Sequence, residues 1–479
     1  MRISLTGKLA LGLLTATVLT GGTAFQAAFA ATPTPPSDTA QSAEAAEAAM
    51  DTASQQAAKT GQAVAVPALT NENSTTVANP DGTFTETVSS GVAQIKRGDQ
   101  WLPIDTSLAQ DGAMFKPRVS RANVEVSAGG DAPLAKITDD AGRVFAVKWP
   151  TALPKPSVNG NVATFANAAG PGADLVVTVL PTGFRHDVVL REKPTGPLEL
   201  RIPVQTEGVD LTEDANGRLL LTSTAGDGKV VASGARPVMW DASGHGKPRG
   251  DALKEIDSTV ETQNGVKVLV LKPDAGFLAD PKRQYPVTVF PSITLPQVET
   301  DADVASTWPS HPGDPMIIAG TMPWENGQGG DVMRSYVKFN TSKIKGKRVI
   351  LASLGMWNLE TNACGVAVGS GLTAERVTSP WDEHDLNWDN KPTTTSEGAS
   401  TTRVGRGRTW TAPCAMGAGF LSWPVTNIAK AWAAGAPDYG IQLRGADEKE
   451  ATNWRAFAAS ENQDKGVKPP TLAIVYTRR

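Results

Sequence analysis

Short runs of alternating apolar and polar residues, broken by turn residues, fill most of this chain. Their densest stretch is Met333 to Trp357. Ser335-Tyr-Val-Lys-Phe339 alternates around Tyr336, Val337 and Phe339, and Val349-Ile-Leu-Ala-Ser-Leu-Gly-Met-Trp357 is an almost continuous apolar strand. The basic turn Lys343 to Arg348 lies between them and predicts two neighbouring strands. Downstream, Gly440 to Arg444, Trp454 to Glu461 and Thr471 to Tyr476 predict three more. A helical spacing appears at Val425, Ile428, Ala429 and Trp432, ended by Gly435 and Pro437, with Lys430 facing outward.

The amino-terminal half repeats the strand-and-turn pattern. Asn79-Pro-Asp-Gly82 between Thr75–Ala78 and Thr83–Val88 is a hairpin signal, and Arg97 to Gln100 separates Val92–Lys96 from Trp101–Ile104. Strands are predicted at Val144–Trp149, Ala163–Phe165, Asp174–Leu180, Arg185–Leu190, Leu198–Ile202, Leu219–Thr222, Val238–Trp240, Val266–Leu271 and Val287–Phe290. With 46 glycines and 34 prolines in 479 residues and few helical patterns, the fold class is all-β, with room for two or three domains.

The ends of the pattern set the expected domain limits. Residues 1–30 carry Arg2 and Lys8, an apolar run from Leu9 to Leu19 and small residues at Ala28 and Ala30, the plan of a secretory signal cleaved before Ala31. The run is too short to span a bilayer, so no transmembrane segment is expected and the mature protein is expected to be secreted and extracellular. Residues 31–62 are Ala, Thr, Ser, Gln and Pro-rich and predict a flexible linker, with a frayed helix over Ala43 to Lys59 ended by Gly61. A β-rich amino-terminal domain, sandwich-like and divisible into two lobes, is expected over 63–292, and a second domain over 293–479.

Charge and chemistry narrow the function. The formal charge is −4, and loss of the two positive charges of Arg2 and Lys8 takes it to −6. No basic stretch is concentrated, so nucleic acid is not an expected partner. Cys364 and Cys414 are the only cysteines, and in an oxidising compartment an even pair reads as one disulfide, two buried thiols being the alternative. The four histidines have no metal-spaced partners, and G-x-S-x-G, H-E-x-x-H and phosphate-loop motifs are absent from the sequence. No metal site, cofactor or catalytic residue is assigned. Asp301 and Asp303 form a short alternating acid pair that offers Ca²⁺ far fewer oxygens than it takes. Asp382, Glu383 and Asp385 raise the alternative of a glycosidase pair, against the simpler reading of a solvated acidic loop.

Nine of twelve tryptophans follow residue 300, and indole rings serve either sugar stacking or a core. Trp357, Trp432 and Trp454 lie on strands or the helix and are expected in the core. Trp308, Trp324 and Trp410 sit in polar, Gly- or Pro-containing surroundings and are the candidate ligand-binding platforms.

Several motifs occur in an order that resembles secreted DNRLRE domains, relatives of family 96 carbohydrate-binding modules. They are Arg334 to Phe339, Val377 to Trp381 with Asn387 to Pro392, Gly440 to Gly445, and Phe457 to Glu461 followed by Pro470 to Tyr476. The resemblance covers 293–479 and implies a jelly-roll β-sandwich with one short helix, in which Trp381 and Trp388 occupy motif positions that pin their loop; related domains carry a cysteine pair at matching places. Asn79 to Phe84, Trp101 to Thr106, Asp174 to Phe184, and Phe277 to Pro281 through Tyr285 to Val289 resemble the β-rich amino-terminal region of secreted actinobacterial proteins, some of which continue into Rhs or YD-repeat shells. The expectation is a secreted, non-catalytic protein that binds polysaccharide or cell-surface glycan. A structural shell role and a polysaccharide-cleaving enzyme are the alternatives.

Overall fold

The computed structural model describes residues 38–478 apart from 216, 235, 245–251, 291, 296–299, 308–313, 324–329 and 465. The signal-like residues 1–30 lie outside them, as do the platform candidates Trp308 and Trp324. The described chain is all-β, built from antiparallel sheets, and its α-helices are Asp38–Thr60, Ala275–Ala279 and Thr426–Ala433. No described helix is long and apolar enough to cross a membrane.

Strands between Asp105 and Thr294 form an amino-terminal sandwich of an eight-stranded and an eleven-stranded sheet. Alternation places Phe115, Phe145, Phe165 and Phe184 between the sheets, and the Phe145 and Phe184 rings stack at 6.2 Å. The turn chemistry matches its geometry. Asn264 (φ 50°) and Gly265 (φ 79°) both take positive φ between the paired residues Gln263 and Val266, as a tight hairpin turn demands.

The carboxy-terminal sandwich is a curled sheet of thirteen strands around a second core that contains Phe339, Leu354, Met356, Trp423, Phe457 and Tyr476. Trp423 is fully buried and donates from Nε1 to Leu372 O at 2.8 Å across this core. The expected helix is Thr426–Ala433, with Ile428, Ala429 and Trp432 buried as its periodicity requires and Lys430 exposed.

Three expectations change. Strands Gly330–Lys338 and Arg348–Thr361 are not neighbours: Trp454–Ala458 and Met316–Pro323 lie between them in the sheet. Their connection has no two-residue turn and instead buries Phe339 and Ile344, which carries the chain across the core. Residues 64–89, placed by chain order in the amino-terminal domain, pair into the carboxy-terminal sheet, with Phe84–Ser89 running antiparallel to Thr471–Thr477 from Phe84↔Tyr476 to Ser89↔Thr471. Ser292–Thr294 in turn pairs with Gly183–Arg185 of the amino-terminal sandwich, and the chain re-enters the carboxy-terminal sheet at Thr300.

The third change is the linker. Residues Asp38–Thr60 form a continuous helix closed by Gly61, whose N–H donates to Ala57 O at 2.9 Å and whose φ of 68° suits glycine. Met50, Ala53 and Ala57 share one face of the helix and join the core. Lys343 fastens the same region from the other side. Its Nζ donates to Leu69 O at 2.6 Å and lies 3.3 Å from the buried carboxylate of Glu86.

Candidate functional site

Strand Arg348–Thr361 sends Val349, Ala352, Leu354 and Met356 into the core, so Ser353, Gly355 and Trp357 face outward. Trp357 is therefore half-buried on the outer face, a correction to its expected core position. A register shift between Val349 and Leu351 sets this parity, and the unbroken apolar run hides it. Trp357 pairs with Phe420, whose ring meets the indole edge-on at 5.1 Å. Gly355 leaves space for that ring, since a Cβ there would lie 3.2 Å from Phe420 and 3.1 Å from Thr471 Oγ1. Phe420 is 37% exposed, and Ser422, Ala473 and Thr87 continue the outer face as small residues.

The loop from Arg403 to Gly417 is strapped to the end of this strand. Thr361 N donates to Arg408 O at 2.9 Å and Arg408 N to Leu359 O at 3.0 Å. Gly407, at φ 92°, lies so close that a Cβ would come 2.0 Å from Leu359 O. The Arg406 guanidinium donates to Met416 O at 2.8 Å and Gly417 O at 3.0 Å. Cys364 and Cys414 form the expected disulfide, with Cα atoms 5.5 Å apart, and tie the loop down a second time.

Trp410 sits on this loop, 39% exposed, with its ring 5.3 Å from that of Trp454. Trp454 is itself in the interior at 1% exposure, as expected, but on the side of the sheet away from the main core. The pairings Asn358↔Phe457 and Glu360↔Ala456 show that this is the side on which Trp357 lies. Phe420, Trp357 and Trp410 thus belong to one outer face, and along the chain between the latter two come Glu360 and Arg408, 3.8 Å apart. Of these three rings only Trp410 was a platform candidate from the sequence, since Trp357 was expected in the core and Phe420 carried no signal.

Trp381 and Trp388 hold their loop. Trp381 Nε1 donates to Tyr439 O at 2.8 Å beneath Lys338, whose Nζ lies 4.5 Å from the ring centroid. Trp388 stacks against Arg334 at 5.2 Å and Lys391 at 4.3 Å. Glu383 and Asp385 of this loop border a cleft of 820 Å³ between the two sandwiches, lined also by Arg218, Arg236, Glu255 and Asn387. Asp382 and Glu383 both converge on His384 Nδ1, at 3.7 and 3.4 Å. The hydrogen bond from His384 holds the Asp382 carboxyl down at about 2, whereas burial pushes Glu383 up. Asp301 and Asp303 are buried and accept from protein donors: Asp301 from Ser90 Oγ at 2.7 Å and Ser460 N at 3.0 Å, Asp303 from Ile318 N at 2.7 Å. Among the described residues, no three His, Cys, Asp or Glu side chains are grouped to hold a metal ion.

Residues 319–476 match the family model of carbohydrate-binding module family 96. The matched segment includes Trp357, Trp410, Phe420 and both cysteines. Over 331 residues, 64% of this chain, it is 24% identical to the tRNA3(Ser)-specific nuclease WapA of Bacillus spizizenii. It is 25% identical over 334 residues to the tRNA(Glu)-specific nuclease WapA of Bacillus subtilis subsp. natto and likewise to the tRNA nuclease WapA of Bacillus subtilis. The chain spans only 12% to 13% of the length of these relatives.

Proposed function

We propose that the carboxy-terminal sandwich is a non-catalytic carbohydrate-binding unit acting outside the cytoplasm, and that polysaccharide lies against the outer face carrying Phe420, Trp357 and Trp410. The observation that carries this is the family 96 module match over residues 319–476. Two features support it. Exposed aromatic rings offer faces for the apolar side of a sugar, and the small residues beside them leave the strand surface open to an extended chain. The disulfide supports an oxidising environment.

The test is glycan-array binding and titration calorimetry on the full chain. Trp410→Ala and Phe420→Ala are each expected to weaken polysaccharide binding about tenfold, or ~1.4 kcal/mol, with the melting temperature almost unchanged because both rings are exposed. Unaltered affinity in both variants would move the site elsewhere, and an empty array would remove the carbohydrate reading. The relatives favour a second reading, in which these β-sandwiches serve as one structural segment of a longer nuclease-bearing protein. An empty array together with retained fold supports that one. The acidic charge of this chain does not exclude nucleic acid as a partner of such an assembly.

A further inference from the structure

Arg455 lies on strand Trp454–Ala458 with 0% exposure, and among the largest fully buried side chains of the described residues it is the charged one. It points to the same side as Phe457, into the main core, while Trp454 and Ala456 point the other way. Its guanidinium donates to backbone carbonyls in three directions: Nε to Val404 O at 3.0 Å, Nη1 to Trp454 O at 3.0 Å and Nη2 to Val368 O at 3.1 Å. Nη1 also reaches Asn453 Oδ1 at 3.4 Å. Glu450 is the acid that faces it, but Glu450 Oε2 accepts from Ser370 N at 2.7 Å. Burial draws the guanidinium down to about 10, which leaves it charged at neutral pH. A charge enclosed in this way is unfavourable unless its donors are all engaged, and its removal would strip the donor from carbonyls that water does not reach.

Two of those carbonyls belong to two different loops. Val368 lies in loop 364–371 and Val404 at the start of loop 403–417, and the Cys364–Cys414 disulfide joins the same pair of loops. Backbone bonds knit them further, Gly365 N to Gly405 O at 2.9 Å, Gly405 N to Gly365 O at 2.8 Å and Val368 N to Arg403 O at 2.7 Å. All of these fix one loop to the other. The strand of Arg455 fixes them to the sheet: Asn453 Nδ2 donates to Gly371 O at 2.7 Å, and Thr361, opposite Arg455 in the ladder, donates from its N–H to Arg408 O at 2.9 Å. On the other side of this strand the Trp454 ring meets that of Trp410 at 5.3 Å. Consecutive residues thus hold the base of the loop and back its exposed indole.

We propose that Arg455 is a positioning residue for the carbohydrate face, holding both disulfide-linked loops to strand Trp454–Ala458 so that Trp410 stands where a sugar ring can stack on it. This rests on the carbohydrate reading of that face. The role needs a fork. A planar guanidinium reaches Val404 O, Val368 O and Trp454 O at once, whereas the point charge of a lysine ammonium on its flexible stem does not span the same three directions.

The experiment compares the full chain with Arg455→Lys, Trp410→Ala and the double variant. Arg455→Lys keeps the charge and is expected to retain a cooperative melt and the far-ultraviolet circular dichroism of the parent. The coupled-indole band that disappears in Trp410→Ala is expected to disappear from Arg455→Lys as well. Titration with the polysaccharide selected by the array is expected to show binding weakened about tenfold in Arg455→Lys, as in Trp410→Ala, with the double variant no weaker than either alone. Parent-like binding in Arg455→Lys would overturn the assignment, and so would a double variant weakened about a hundredfold, the product expected of independent sites. If Arg455→Lys does not fold, the parent decides the matter. After reduction of its disulfide, the amides of Gly365, Val368 and Gly405 are expected to exchange within about tenfold of those of strand Trp454–Ala458, and faster exchange would show that Arg455 does not hold the loops. Should the parent bind no glycan, the carbohydrate reading falls, while the indole band and the exchange still report whether Arg455 places Trp410.

Discussion

A fragment beginning at residue 293 is expected not to fold, although it contains the whole segment that matches the carbohydrate-binding module model. Its sheet would lack strands Ser74–Ala78 and Phe84–Ser89, leaving Thr471–Thr477 as an unpaired edge along the whole register from Phe84↔Tyr476 to Ser89↔Thr471. The core would lose Phe84 and Val88, each fully or nearly fully buried and worth ~1.5–3 kcal/mol, together with Met50 and Ala57 of the helix. Those losses are comparable with the whole stability of an ordinary domain, ~5–15 kcal/mol. Circular dichroism and one-dimensional NMR of the fragment decide the matter. A cooperative melt near that of the full chain would show that residues 38–89 are dispensable. Supplying 38–89 as a separate peptide is expected to restore the β signal.

Replacing Cys364 and Cys414 together by alanine is expected to cost up to ~4 kcal/mol in the chain-entropy model, since the bond spans 50 residues of sequence. The hydrogen bonds of Arg406 and Arg408 retain part of the loop, so the measured loss should fall below that ceiling. Glycan affinity is expected to fall with it, because Trp410 rides on the strapped loop, whereas Trp357 and Phe420 stay on paired strands. Thermal melts with and without reductant measure the first effect. Equal melting temperatures would show that the loop is held by its backbone contacts alone.

What the sequence revealed was governed by local rules. Asn79-Pro-Asp-Gly82 announces its hairpin because Gly82 needs φ of 81°, and the Ile428, Ala429 and Trp432 spacing announces its helix because the face it buries is continuous. The cysteine pair could be read because two thiols in one compartment have a single intramolecular pairing. Long-range partners were not legible. Nothing in Thr83–Val88 states that Thr471–Thr477 will lie beside it, and the alternation satisfies either sandwich equally well. Trp357 was misplaced because the bulge at Val349 to Leu351 changes which half of an apolar run faces inward. The partners of Asp301 were equally hidden, since Ser90 and Ser460 reach its carboxyl only after three distant segments have folded together.

The pairing of Phe84–Ser89 with Thr471–Thr477 also has a temporal meaning. A ribosome makes the first strand long before its partner, and at ~5–20 residues per second the interval is roughly 20–80 s. Throughout that time the amino-terminal sandwich, already complete at Thr294, can assemble while strand Phe84–Ser89 shows its apolar side and an open edge to whatever surrounds it. A nascent chain of this topology therefore depends on chaperone cover, or on being kept unfolded until its last strand arrives.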